Sequence, residues 1–122
     1  MASQVVSEDD RTRIDKARLI ASIDSLPLGF ILTDETNEIV LTNNALNYIL
    51  GYSEKEPFKE RLDRLLDLKK CCEECRKKRE LVEIKDLLVE GKRLRMILNP
   101  VSVLGADEKV IGVVVLIEEV TH

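Results

Sequence analysis

Residues 110–118 read Val-Ile-Gly-Val-Val-Val-Leu-Ile-Glu, the most hydrophobic strand-like stretch of the chain. The apolar run within it extends from Ile111 through Gly112 to Ile117, far short of the roughly 20 residues that span a bilayer. A short run rich in valine and isoleucine predicts a strand at the centre of a sheet. Such a strand lies inside a sheet, because its backbone polar groups need partners once they leave water. The rest of the sequence must therefore supply flanking strands and a layer to cover them, with residues 110–118 at the sheet's centre.

Two groups of strands meet that need. Residues 29–33 (Gly-Phe-Ile-Leu-Thr) and 38–42 (Glu-Ile-Val-Leu-Thr) flank Asp34-Glu35-Thr36-Asn37, which predicts a β-hairpin with Asn37 in the left-handed conformation. Later, Val82, Ile84, Leu87 and Val89 follow strand spacing, with a slip around residues 86–88 that predicts a bulge. Glu90-Gly91-Lys92 makes a tight turn. Beyond it, Leu94, Met96 and Leu98 alternate with Arg93, Arg95 and Ile97, the pattern of a half-buried strand. Helical spacing fills the interval between the groups. Asn43 or Asn44 caps a helix carrying Ala45, Leu46, Ile49 and Leu50, and Gly51 closes it. Ser53 and Pro57 open a further helical region. Leu62, Leu65, Leu66 and Cys72 then predict one longer helix over about residues 58–79.

Near the start, Ser7 and Asp10 resemble a capping box. Ile14, Ala17, Ile20 and Ile23 repeat every three residues as a narrow apolar stripe that Pro27 ends. The chain divides into a disordered tail (1–7), an amphipathic helix (8–25) and a core (26–122). The predicted architecture is α+β: a five-stranded antiparallel sheet with helices on one face and a flanking N-terminal helix.

The 122 residues suffice for one domain. A net charge of -4 offers no footprint for nucleic acid or anionic membrane. Charged residues from Ser7 to Lys16 exclude a secretory h-region. The expectation is a soluble domain without a nucleic-acid partner and without membrane insertion by this segment.

Catalysis has little to work with. The sole histidine is His122, the final residue, and the five glycines are too scattered to form a phosphate loop. The chain is therefore expected not to be an enzyme. Cys71, Cys72 and Cys75 cluster within five residues, which points to a reducing compartment, the cytoplasm. On a helix they share one side, where thiolates are soft ligands for zinc or iron–sulfur centres. Lys69, Lys70, Arg76, Lys77 and Lys78 are expected to lower their pKa values. The alternatives are a cysteine-dependent metal or redox site, and a buried Cys72 beside two incidental thiols.

The order of elements resembles that of PAS domains, and short motifs agree with it. Leu26-Pro27-Leu28-Gly29-Phe30 is similar to the family's lead into its first strand. Asp34, Ile39, Asn43, Ala45 and Leu50-Gly51-Tyr52-Ser53 resemble its "D…I…N…A…LGYS" run, and Glu90-Gly91-Lys92-Arg93 its later hairpin. Glu118-Glu119-Val120-Thr121 is similar to its "D-I-T" exit signature, with Glu119 in place of aspartate. The resemblance covers about residues 17–121.

It implies a regulatory input domain of a two-component sensor histidine kinase, with a kinase or other output domain following in cis. It implies a homodimer joined through the helix bearing Ile14, Ala17, Ile20 and Ile23. Relay would run through Lys92, Arg93, Glu119 and Thr121, with Glu119 pairing to Lys92 or Arg93; the alternative is an ordinary surface ion pair. The cofactor is unknown. Histidine-ligated haem is disfavoured because the fold holds no histidine, and photoactive flavin because the asparagine-cysteine-arginine-phenylalanine motif is absent. A small ligand between helices and sheet would touch Ile31, Ile39, Leu46, Leu50, Leu65, Met96 and Val115, which otherwise are plain core. A ligand-free dimerisation domain is the remaining alternative.

Overall fold

The computed structural model describes residues 17–51, 55–102 and 109–120. Residues 17–24 are helical (α1). They are followed by β1 (Gly29–Thr33), β2 (Ile39–Thr42), α2 (Asn44–Leu50), α3 (Phe58–Leu66), α4 (Leu68–Lys78), β3 (Val82–Val89), β4 (Lys92–Ser102) and β5 (Val110–Glu119). The strands form one sheet in the order β2-β1-β5-β4-β3. Every neighbouring pair is antiparallel. The apolar strand β5 therefore lies in the middle, as its composition requires. Its period-2 pattern buries Val113, Val115 and Ile117 on the helix side.

The turns follow from residue chemistry. Asn37 adopts φ 65, and Asp34 Oδ1 accepts from the Thr36 and Glu38 amides at 2.8 and 3.0 Å. Glu90 and Gly91 both take positive φ, 48 and 82, as a type I′ hairpin turn demands. Between Ile84↔Met96 and Leu87↔Leu94, β3 advances three residues against two on β4. The bulge thus falls at Lys85-Asp86, slightly ahead of the slip expected at 86–88.

The helices cover one face of the sheet. Leu46, Ile49 and Leu50 of α2, Leu62 and Leu66 of α3, and Leu68, Cys72 and Cys75 of α4 join Ile31, Leu94, Met96, Leu98, Val113, Val115 and Ile117 in one core. Each large aliphatic side chain so buried contributes about 2 kcal/mol.

One expectation is corrected. Residues 58–79 form two helices, because Asp67 takes a left-handed conformation with φ 51. Packing is the reason. Extending the stripe of Leu62 and Leu66 by helical spacing would aim Lys69, Lys70 and Glu73 at the core. The break restarts the period, so that Leu68, Cys72 and Cys75 face inward instead. Asp63 secures the joint. Its carbonyl accepts from Asp67 N at 2.8 Å, and its carboxylate accepts from Lys69 N at 3.0 Å.

Candidate functional site

The most heavily bonded polar side chain in the interior is Asn43, which is 1% exposed. It precedes α2, where its Oδ1 caps Leu46 N at 3.2 Å. The same oxygen accepts from Phe30 N of β1 at 2.8 Å. Its Nδ2 donates to the carbonyls of Ile23 and Leu28 at 2.7 and 2.8 Å. One amide thus spends two donors and two acceptors on the end of α1, the start of β1 and the start of α2, its full capacity. Asp24 adds a second tie, its carboxylate accepting from Asn44 N at 3.0 Å. A carboxylate there also complements the positive end of α2.

The exit lies at the same end of the sheet. Gly29 and Phe30 stand opposite Ile117 and Leu116 on β5. Past β5, Val120 N donates to Arg93 O at 2.8 Å and prolongs the β4–β5 ladder. On the solvent face, Arg95 bonds Glu83 at 2.8 Å on one side and Glu118 at 2.9 Å on the other. Leu28, Arg95, Ile97, Leu116, Ile117 and Glu118 line a small recess where the two ends meet. The chain's way in and its way out therefore share one corner, joined by the β1–β5 ladder.

Among the residues expected on the N-terminal helix, Ala17 is exposed, Ile20 half-buried and Ile23 4% exposed. Ile23 faces the chain's own fold. Ile14 lies outside the described residues, as does Thr121 of the exit. Of the relay set, Lys92 donates to the Ile49 carbonyl at 2.8 Å, and Glu119 stands opposite Leu94. Arg93 holds Val120 through its carbonyl.

The seven residues proposed to line a pocket lie together. Ile31, Leu46, Leu50, Met96 and Val115 are core, with Ile39 and Leu65 packed against them. A cavity of about 390 Å³ opens beside Ile39 and Leu68, but Lys59, Glu60, Asp63, Arg64 and Lys69 wall it.

The cysteines depart from the expected low-pKa cluster. Cys72 and Cys75 are fully buried and Cys71 partly so. Burial pushes the Cys72 thiol up to about 11 despite a hydrogen bond with Thr33. Burial, then Asp67 and Glu74, raise Cys71, and burial raises Cys75. Lys69, Lys70, Lys77 and Lys78 are exposed, while Arg76 turns to the Glu35 carbonyl and Asn37. Desolvation outweighs the helix's positive charge because the sulfurs are buried while the ammonium groups lie in solvent, where their field is screened. Cys71 Sγ lies 3.8 Å from Leu66 O and Cys75 Sγ 3.4 Å from Glu80 O. Among the described residues, no three His, Cys, Asp or Glu side chains are placed to hold a metal ion.

Sequence reasoning missed Arg61. This residue is 6% exposed, and its guanidinium bonds Gly51 O at 2.8 Å, Leu50 O at 2.9 Å and Glu90 at 3.1 Å. Its only local signal is a position one residue before Leu62 on an apolar face.

The fold agrees with family membership. The PAS fold model matches residues 17–120, and the chain belongs to the PAS family. Solved structures share the architecture. The PAS domain of a Colwellia psychrerythraea protein superposes with a TM-score of 0.62 at 14% identity, covering 88% of this chain and 98% of that one. A sensory box sensor histidine kinase from Vibrio cholerae gives 0.56 at 15%, covering 92% and 98%. VqmA of Vibrio cholerae, a DNA-binding receptor of the LuxR type, gives 0.61 at 12%, covering 86% of this chain and 51% of that one. At these identities the likeness is one of fold. No curated protein matches the sequence.

The chain is thus a PAS sensory domain, of a kind that is generally non-catalytic. Among the described residues, no helix is long and apolar enough to cross a membrane.

Proposed function

We propose that this domain is the regulatory input module of a two-component sensor histidine kinase, in the cytoplasm. It dimerises through the helix bearing Ile14, Ala17 and Ile20. It passes a signal to an output domain following in cis, through β4, Glu119 and Thr121. The observation that carries this reading is the corner where Asn43 binds the end of α1 to β1 and α2 while β1 pairs with the exit strand. A shift of α1 displaces the Ile23 carbonyl, and the displacement reaches β5 through the Phe30 amide.

The kinase context rests on the histidine-kinase domain among the structural neighbours. The core's packing around Ile31, Leu46, Met96 and Val115 supports relay that needs no ligand inside it. Sedimentation equilibrium tests the assembly. The chain is expected to sediment as a dimer, and Ala17→Glu, at an exposed position, to shift it toward monomer. A monomeric wild type refutes the dimer, and an unaffected Ala17→Glu dimer refutes this interface.

A further inference from the structure

The last turn of α2 leaves carbonyls without helical partners. Three of them take cations: Ile49 O holds Lys92, and Leu50 O and Gly51 O hold Arg61. A buried guanidinium also requires an anion, and Glu90 supplies it at 3.1 Å. The pair is lopsided. The Arg61 side chain is 7% exposed and the Glu90 side chain 50%. These groups wall a cavity of about 220 Å³ that reaches Gly51, beside whose Cα no atom would meet an added Cβ within 4 Å. Two cations against one carboxylate and the negative end of a helix leave about half a positive charge in the cavity.

We propose that the cavity walled by Arg61, Lys92 and Gly51 binds a small carboxylate, which replaces Glu90 on the Arg61 guanidinium. The incoming group keeps the buried arginine neutralised and gains the Lys92 ammonium as a second partner. It releases Glu90 to water, which costs little because that side chain is already half-exposed. The exchange frees the Glu90-Gly91 turn from α3. That turn leads into Lys92 and Arg93, whose carbonyl holds Val120. Binding at this edge site therefore acts on the exit strand without opening the core. The inference goes beyond the relay reading and fails independently of it.

Acetate is the probe, titrated at constant ionic strength against chloride while the guanidinium resonances of Arg61 are followed. The key variant is Glu90→Asn. It removes the competing carboxylate, Asn-Gly is the preferred pair for a type I′ turn, Arg61 keeps its Leu50 and Gly51 carbonyl partners, and circular dichroism confirms that the variant is folded. Glu90 competes from within the chain at high effective concentration, so its removal is expected to tighten acetate binding by about tenfold or more. Adding Lys92→Met should abolish saturation while circular dichroism stays that of the wild type. A response in Glu90→Asn no different from that to chloride overturns the proposal. So does binding that persists undiminished in the Lys92→Met background.

Discussion

The side-chain amide of Asn43 donates to the main-chain carbonyl of Ile23 at 2.7 Å, across twenty residues of sequence and from within the buried interior. The same side chain holds Phe30 N at 2.8 Å, so the N-terminal helix and the first strand are tied by a single group. Asn43→Ala removes a helix cap and strands buried backbone groups of Ile23, Leu28 and Phe30. The expected loss is about 3 kcal/mol, read from urea denaturation. Asn43→Asp keeps both acceptor contacts and loses both donor contacts. Its Phe30 amide should stay protected from hydrogen exchange, while the end of α1 loosens.

α4 ends on a residue that resists the required conformation. Arg79 sits at φ 55 and its amide closes the helix on Cys75 O at 2.9 Å. Arg79→Gly removes the steric cost of a left-handed L-residue and should stabilise the fold by about 1 kcal/mol. A lower urea midpoint in that variant would show that the side chain itself supports the helix end.

The thiols should respond to alkali, not to metal. The folded-state pKa of Cys72 is about 11 against an ordinary 9.0, so the unfolded chain loses that proton first as pH rises. The contribution to stability is therefore complete below about pH 9 and is lost as pH climbs toward 11. Other groups titrate in that range, so the comparison is with Cys72→Ala, whose denaturation midpoint should fall less steeply over the same interval. Labelling by a thiol reagent at neutral pH should be slowest at Cys72. Rapid labelling there would contradict the burial.

Gly112 is confined by its neighbour. A Cβ at this position would collide with the Thr33 carbonyl oxygen, which is backbone and cannot swing aside. Gly112→Ala should part β1 from β5, and hydrogen exchange should rise at Val113, whose amide donates to Thr33 Oγ1 at 3.2 Å. Unchanged protection at Val113 would show that the ladder tolerates the shift.

Much of this fold was legible because short-range chemistry dictates it. The alternation of Leu94, Met96 and Leu98 and the paired positive φ of Glu90 and Gly91 depend on neighbours in sequence. The break at Asp67 was not read from the sequence, because Leu62, Leu65, Leu66 and Cys72 fit the spacing of one uninterrupted helix, and only the packed core shows that Leu68, Cys72 and Cys75 need a restarted period. Asn43 was readable as a cap. Its bonds to Ile23, Leu28 and Phe30 were not, because they join segments that meet only in the folded chain. The cysteines misled for a related reason: adjacent lysines suggest a low pKa, but which helix face is buried decides the matter. Arg61 gave little warning beyond its place beside Leu62, because its acceptors are the carbonyls of another helix and a carboxylate on a distant turn.

The proposed relay runs from α1 through the corner held by Asn43 to the exit strand. Its most direct test joins the domain to a histidine kinase core and measures autophosphorylation for the wild type and Asn43→Asp, with circular dichroism confirming the same fold. The expected outcome is a rate changed severalfold by the substitution. An unchanged rate in a folded variant would contradict it.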